Sequence, residues 1–494
     1  MLEQPDTWKP LDAIPEYFDG IDKASGLDEV ARGWVRDLIE EYESHRDHNS
    51  ELLDYYDGNV KVSDYGVSAD IKNDQKCHWP RKAVTALSDR ITLESLTTEN
   101  GDQETLDLVT KRNNIVSNYN RHLPAKLLYG CMAASVNKGA GGKSLVRFHS
   151  AETFTAFPSP DFTDGVIAGG LVIARRERTS WSNGKVVPTL INLHTPGNIG
   201  EFRQVDTGEW VYTPGEVKEE LPTLYVFSHR GTGTLNPFGQ TRITQFVRTL
   251  TDDAIRCMWH MQVSGAFYSM AKMWVTGVTE AQFDEIMNNK TKYQLSRMLA
   301  FTGDGTNYDP KVGQLSGNTP QPFIDELRAL ACQFSGESGV PLNSLGIVQD
   351  NPSSAEAIGA SREDICLIAE RDIEEDSATL ERVARAALAV EMNTTTSALE
   401  DVDIIPKFAS PMLHSMSEKA DWAVKINSLR PGFGETDVAA RMVGLDEADL
   451  ASVRNEERKN AARDALFAEM KAKVNDGEEE ARNQAGDDIA GVAE

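Results

Sequence analysis

Apolar positions along the first stretch of the chain recur at helical spacing. In GLDEVARGWVRDLIEEYESHRDHNSELLDYYDG, Leu27, Val30, Trp34, Leu38 and Tyr42 form one stripe, which predicts an amphipathic helix. WPRKAVTALSDRITL predicts a second helix, with Pro80 suited to its first turn. RHLPAKLLYGCMAASVN predicts a third. From about residue 144 to 228 the period changes. SLVRFHS, GLVIARRE, VVPTLINLH, EFRQV and EWVYT are short and β-prone. Turn signals separate them at Ser182-Asn183-Gly184, Pro196-Gly197, Asp206-Thr207-Gly208 and Pro214-Gly215. Asn183-Gly184 between two β-prone runs predicts a hairpin. This region reads as a small antiparallel sheet.

Helical spacing then returns. A glycine-containing loop over 231–239 leads into a helix whose stripe is Ile243, Val247, Leu250, Ala254 and Met258. Residues 272–318 read as a mixed patch: a strand in MWVTGV, a helix in TEAQFDEIMNNK and a strand in RMLAFTG. Thr279 and Gln282 have the spacing of a capping box. QPFIDELRALACQFSGESG is the next helix. After a break, a very long helix is expected from Ser354 to Met392, with Ile365, Ala369, Ile373, Leu380, Val383, Ala387 and Val390 inward. Ser353 or Ser354 caps it, with Glu356 favourably near its N-terminus. A smaller helical region covers about 410–475, including an acidic-then-basic helix over 446–459. Residues 476–494 carry seven acidic side chains against one Arg and read as a flexible tail.

The 494 residues suggest about three domains, and 40% hydrophobic with 26% charged residues places the chain among globular proteins. The fold class expected is α+β, mainly helical. MLEQPDTWKPLDAIP has charges and prolines where a secretory signal has its apolar stretch. The longest apolar run, Gly165 to Ala174, is far short of a membrane span. Cys77, Cys131, Cys257, Cys332 and Cys366 are scattered, as reduced packing thiols are. The formal net charge is −27, from 50 basic and 77 acidic residues. Nucleic-acid binders gain affinity by neutralising phosphates, so this chain as a whole repels DNA. That argues against a sequence-specific binder but does not exclude a protein that encloses DNA without gripping it. WPRKAV mixes an aromatic with two cations and reads as a solvated helix start.

Motif searches for chemistry fail together. NKGAGGKS at 137–144 has Asn137 where a phosphate loop needs Gly, and a helix is expected before it and a strand after it, the reverse of the required order. GDGTNYD at 303–309 lacks the closing Glu of a calcium loop. HRGTGTLNPFG has no strand–helix frame for a dinucleotide. The nine His show no paired ligand spacing, and no GxSxG occurs. No catalytic residue, cofactor or metal is expected, and the chain is read as not an enzyme.

Three stretches carry a family resemblance: LYVFSHRGTGTLNPFGQTRIT, ACQFSGESGVPLNSLGIVQDNPSSAEAI, and SPMLHSMSEKADWAVKINSLRPGFGETDVAARMVGLDEADLASVRNEERK. Over 221–459 the chain resembles the phage portal proteins, notably those of tailed phages of Gram-positive bacteria. The resemblance implies a ring, usually of twelve subunits, at one capsid vertex. Residues 1–239 then look like the wing, 240–269 a stem helix, 270–318 the clip, 319–338 a second stem helix and 339–353 the tunnel loop. Residues 354–392 look like the long wing helix, 393–474 the crown and 475–494 the acidic tail. The implied partners are other copies of the chain, double-stranded DNA in transit, the terminase large subunit, the head–tail adaptor, and major capsid and scaffold proteins. The implied place is the virion, with assembly in the host cytoplasm.

The tunnel loop's candidate channel residues are Val340, Pro341, Asn343, Ser344, Gln349, Asp350 and Asn351. Val340-Pro341 stops a helix, and Gly339 and Gly346 permit turns. The loop's polar residues include no cation, which suits touching DNA without holding it. Two competing readings stay open: a nucleotide-driven motor or nuclease subunit, and an acidic capsid or scaffold component without a channel.

Overall fold

The computed structural model describes residues 18, 20–63, 73–159, 167–178, 186–205, 208–215, 222–232, 236–268, 272–281, 283–284, 298–302, 311–315, 319–346, 363–412, 416–445, 449–450 and 452–463. The chain divides into two compact units, Met1–Pro411 and Met412–Glu494. It is a mixed helix-and-sheet protein.

The first unit begins with helix α1 (Glu29–Asp57). Asp28 caps it, its carboxylate accepting from the Ala31 N–H at 2.7 Å. Gly58 ends it at φ 68°, where a Cβ would lie 2.8 Å from the His78 ring. The buried row is Ala31, Val35, Leu38 and Tyr42. Leu27, Leu38 and Tyr42 are buried and Trp34 packs against the core as the stripe predicts, while Val30 is 74% exposed and Ala31 takes its place. Helix α2 (Trp79–Ser88) has Pro80 in its first turn. It stops short of the expected Leu93, because strand β1 (Leu93–Thr98) is taken up by pairing with a segment three hundred residues later. Helices α3 (Gln103–Asn113) and α4 (Ile115–Tyr129) follow.

The third expected helix is the largest correction. It ends at Tyr129 on Gly130, φ 97°, and Cys131–Lys138 is strand β2. Long-range pairing overrides the Ala-rich local preference. β2 is the central strand of a three-stranded sheet, flanked by β3 (Ser144–Ser150) and by β9, further on (Leu224–Ser228). The glycine-rich run 139–142 is therefore a tight strand-to-strand turn, with Gly141 and Gly142 at φ 72° and 77°. The reason for excluding a phosphate loop changes accordingly: a strand precedes it, and no helix N-terminus follows.

β4 (Phe154–Pro158), β5 (Ile167–Arg178), β6 (Val186–Thr195), β7 (Asn198–Gln204) and β8 (Trp210–Thr213) form an antiparallel meander. β5 and β6 pair out to Arg178↔Val186, while the Asn183-Gly184 turn lies outside the described residues. Pro196-Gly197 turns the chain from β6 into β7, with Gly197 at φ 70°.

Helix α5 (Gln245–Tyr268) buries Val247, Leu250 and Ala254 below Ile243, as its stripe predicts, with Met258 half-buried. A three-stranded module follows: β10 (Lys272–Val278) lies between β11 (Met298–Thr302), parallel to it, and β12 (Lys311–Leu315), antiparallel. The sequence reading had two strands there and missed the third. The 303–309 loop and most of the helix expected over 279–290 lie outside the described residues.

Helix α6 (Gln321–Ser338) runs antiparallel to α5. Thr244, just before α5, donates to Glu337 at 3.1 Å, and the Cys257 thiol to the Phe323 carbonyl at 3.2 Å. Helix α7 (Glu363–Glu391) buries Ile365, Ala369, Leu380, Val383 and Ala387, with Ile373 and Val390 partly covered. The expected start of this helix, 354–362, lies outside the described residues. β13 (Ile404–Phe408) then returns to pair antiparallel with β1. Residues 393–411 thus lie with the first unit, and the division between units falls after Pro411 rather than at 393.

The second unit holds α8 (Met416–Leu429), α9 (Asp437–Val443) and helical residues 449–450 and 452–463. Thr436 caps α9, accepting from the Ala439 N–H at 3.3 Å, and Asn427 holds the intervening turn by accepting from Gly434 N–H at 2.8 Å. No described helix is long and apolar enough to cross a membrane.

Candidate functional site

The break between α6 and α7 is anchored before it becomes a loop. Ser338 donates its hydroxyl to the Phe334 carbonyl at 2.7 Å and accepts the Val340 N–H at 3.2 Å. Gly339 takes φ 67° and closes α6 through its N–H to the Ser335 carbonyl at 2.9 Å. Leu342–Leu345 make one tight 3-10 turn, which Gly346 ends at φ 83°.

The sequence-predicted site residues separate into three groups. Val340 is fully buried and Pro341 buried. This buried pair forms the root of the loop, between the end of α6 and the 3-10 turn. Asn343 and Ser344 are exposed. Gln349, Asp350 and Asn351 lie outside the described residues.

Beneath this root sits a buried ionic cluster that the sequence reading missed. Arg242, 5% exposed, donates through Nε to the Ala83 carbonyl at 3.2 Å and through its terminal nitrogen to the Ser338 carbonyl. One guanidinium thus ties α2 to the end of α6. Burial, with Arg230 nearby, pulls its pKa down to about 10, which leaves it charged at neutral pH. His229 places Nδ1 2.8 Å from Asp372 on α7. Lys126 on α4, fully buried, donates to Asp376 at 2.7 Å and lies 3.9 Å from Asp372. Tyr119 also donates to Asp376.

The titrations follow from this arrangement. Burial alone would lower Lys126, but Asp376 and Asp372 outweigh it and hold the ammonium charged. Burial raises Asp376 to about 6, against the pull of Lys126. Burial would raise Asp372 too, but Lys126 and His229 bring it below the usual carboxylate range. Burial lowers His229, which is neutral at pH 7. A legible signal existed: Asp372 and Asp376 sit on the buried stripe of α7, where an acid demands a buried cation.

This arrangement positions; it carries no nucleophile–base–orienter set. Among the described residues no group of three or more His, Cys, Asp or Glu side chains could hold a metal ion.

Comparison with known proteins gives the context. A family model described as phage portal protein, SPP1 Gp6-like, matches residues 36–436. A portal protein of Mycobacterium phage D29 is 24% identical over 283 residues, 55% of this chain and 55% of that protein. A portal protein of Mycobacterium phage L5 is 28% identical over 174 residues, 34% of each. The alignments thus span about half and about a third of these relatives. A chain from a structure titled "Neck of native GTA particle computed with C12 symmetry" overlaps 74% of this chain and 90% of its own length at 12% identity. Its TM-score is 0.36, and an overlap that loose carries no argument.

Proposed function

The chain belongs to the phage portal protein family, SPP1 Gp6-like, and from that premise we propose that it forms a ring at one vertex of a phage capsid, through which double-stranded DNA enters and leaves. The observation that carries the reading is the antiparallel pair α5–α6. It holds the β10–β12 module at one end and the anchored loop at the other. In a ring this pair is the stem. Residues 270–318 are the clip, presented to a packaging motor and a head–tail adaptor. The sheets built from β1–β9 and β13, with α1–α4 and α7, are the wing, and the second unit is the crown.

The loop from Gly339 to Ser353 enters the channel as a tunnel loop. Val340 and Pro341 fix its root, and Asn343 and Ser344 are its exposed described positions. The role is structural rather than catalytic. Other copies of the chain, duplex DNA, the terminase large subunit, the adaptor, and major capsid and scaffold proteins are the proposed partners, in the virion and, during assembly, in the host cytoplasm. A net charge of −27 suits a conduit, because a duplex that must slide is slowed by each phosphate neutralised.

Mass measurement and negative-stain imaging of the purified chain test the reading. The expected particle is a ring of about 650 kDa for twelve copies of a 54.5 kDa chain, with a hole wide enough for a duplex. Rings of eleven or thirteen copies support it equally. A stable monomer or dimer at high concentration overturns it and favours an acidic capsid or scaffold component without a channel.

A further inference from the structure

A cleft of about 310 Å³ opens in the first unit between β3, β5 and α4, and its charge has the opposite sign to that of the chain. β3 is an edge strand of the three-stranded sheet. β5 belongs to the meander, and β4 covers one of its edges only as far as Ile173, whose N–H donates to the Thr153 carbonyl at 2.9 Å. Just beyond, Arg147 of β3 reaches across and donates to the Ala174 carbonyl. Residues 173–176 all border the cleft, so side chains from both faces of β5 reach it. The ladder from β5 to β6 slips twice, between Ile173 and Arg175 and between Arg175 and Arg176. Such irregularities bend a strand and re-aim its side chains.

Three arginines thus border one space, Arg147 half-buried, Arg175 and Arg176 exposed. No acidic side chain is among the described residues that line it. Arg175 pairs with Glu177 at 2.6 Å, but both side chains are exposed, 62% and 42%, and pairs of that kind contribute little. A guanidinium has five N–H donors, so neither this bond nor that of Arg147 to a carbonyl exhausts its fork. His122 of α4 makes the third wall, its ring stacked on Phe148 with centroids 6.0 Å apart. The buried His149 feels the same local charge. Burial lowers its pKa to about 3, and the charged groups that push it further down are His194, His122, Arg147 and Arg176.

We propose that this cleft binds a phosphate group, carried either by a free phosphate or mononucleotide or by a nucleic-acid strand. Arg147 approaches from β3, and Arg175 and Arg176 from β5. Guanidinium forks on two walls match oxygens that diverge from one centre. A phosphate monoester, with close to two negative charges, gains more from three cations than a carboxylate with one. The net charge of −27 repels every anion at long range, so the affinity comes from these close contacts.

Calorimetric titration of the full chain at fixed ionic strength tests the site, with inorganic phosphate, AMP and a short single-stranded oligodeoxynucleotide as separate probes. Saturable binding of at least one is expected. Arg175→Gln/Arg176→Gln is expected to weaken it about tenfold or more, through the loss of charge-assisted hydrogen bonds. Both positions are exposed, so the thermal midpoint should hold. Arg176→Gln alone gives the same test should the double variant fail to fold. Arg203→Gln, on β7 and outside the lining, removes a cation elsewhere and should leave binding unchanged. An oligonucleotide that binds more tightly than AMP and phosphate assigns a strand; one that binds no more tightly assigns a free phosphate. Binding of no probe, equal binding by wild type and the Arg175/Arg176 variants, or an equal loss in Arg203→Gln overturns the proposal. Tighter binding of tetraglutamate than of any phosphate probe also overturns it, because the group recognised is then a carboxylate.

Discussion

Lys126 is the residue on which the region beneath the loop depends. Its ammonium is fully buried and faces Asp376 and Asp372 on α7. Removing one partner of a buried ion pair leaves the other charge unsolvated, which costs about 3–5 kcal/mol. Lys126→Met is therefore expected to lower the thermal midpoint sharply, and Lys126→Met with Asp376→Asn to recover part of the loss. The defect should depend on pH. Asp376 has a folded pKa of about 6, above the usual unfolded value of about 3.9. The folded state therefore holds this proton more tightly, and lowering pH from 7 towards 5 stabilises it through this group. The Lys126→Met deficit should shrink over that interval, measured as the difference in midpoint from wild type; a deficit that grows on acidification sinks the assignment. Glu391 has the opposite sign. It accepts from Arg112 at 2.6 Å, Lys143 at 2.9 Å and the Ser144 N–H at 3.1 Å, tying the end of α7 to the strand that follows the glycine-rich turn. These bonds, led by Arg112, depress its carboxyl to about 2. Its stabilisation is complete above about pH 4.3 and is lost as pH falls through about 2. Glu391→Gln should lower stability near neutral pH by about 1–2 kcal/mol and flatten the acid limb of a midpoint-against-pH curve. An unchanged limb would show that Glu391 is not its source.

At the scale of elements, the connection between α6 and α7 makes its own prediction. Asn343 and Ser344 are exposed on the 3-10 turn beyond the anchored root. Replacing both by Arg would add two cations per subunit to a segment proposed to face moving DNA, where phosphate contacts brake transit. Ring formation should be unchanged and the yield of DNA-filled particles should fall several-fold. Full packaging by Asn343→Arg/Ser344→Arg would exclude these positions from the channel. The same connection shows what the sequence could reveal. Its Gly-Val-Pro start and Gly346 are local chemistry, legible because each acts on its own backbone. The stripe of α5 was legible for the same reason. What escaped was decided at a distance. CMAASV reads as a helix until β3 and β9 pair with both its edges, and β13 has no signal of its own without β1. On α1 only Val30 of the stripe fell outside, because Val30 and Ala31 are adjacent and the packing partner chooses between them. The ionic cluster escaped because its members lie on α4, after β9 and on α7.

At the scale of the molecule, the charge that suits the proposed conduit would oppose its assembly. Each chain carries a net −27, and closing about twelve of them into the proposed ring would concentrate that charge around one axis. On this proposal the association comes from apolar and shape-matched surface, because the net acidic excess supplies repulsion. Repulsion between exposed charges is screened over about 10 Å at 0.1 M salt and about 3 Å at 1 M. Raising NaCl from 0.05 to 0.5 M at fixed protein concentration should therefore shift the population from subunits to rings, followed by mass photometry. The direction discriminates between two sources of cohesion. If ion pairs between subunits held the ring, the same salt would loosen it, and rings would be most abundant at low salt. A ring population that falls with salt would place complementary charge at the subunit boundary, and the acidic excess would then have to lie away from it.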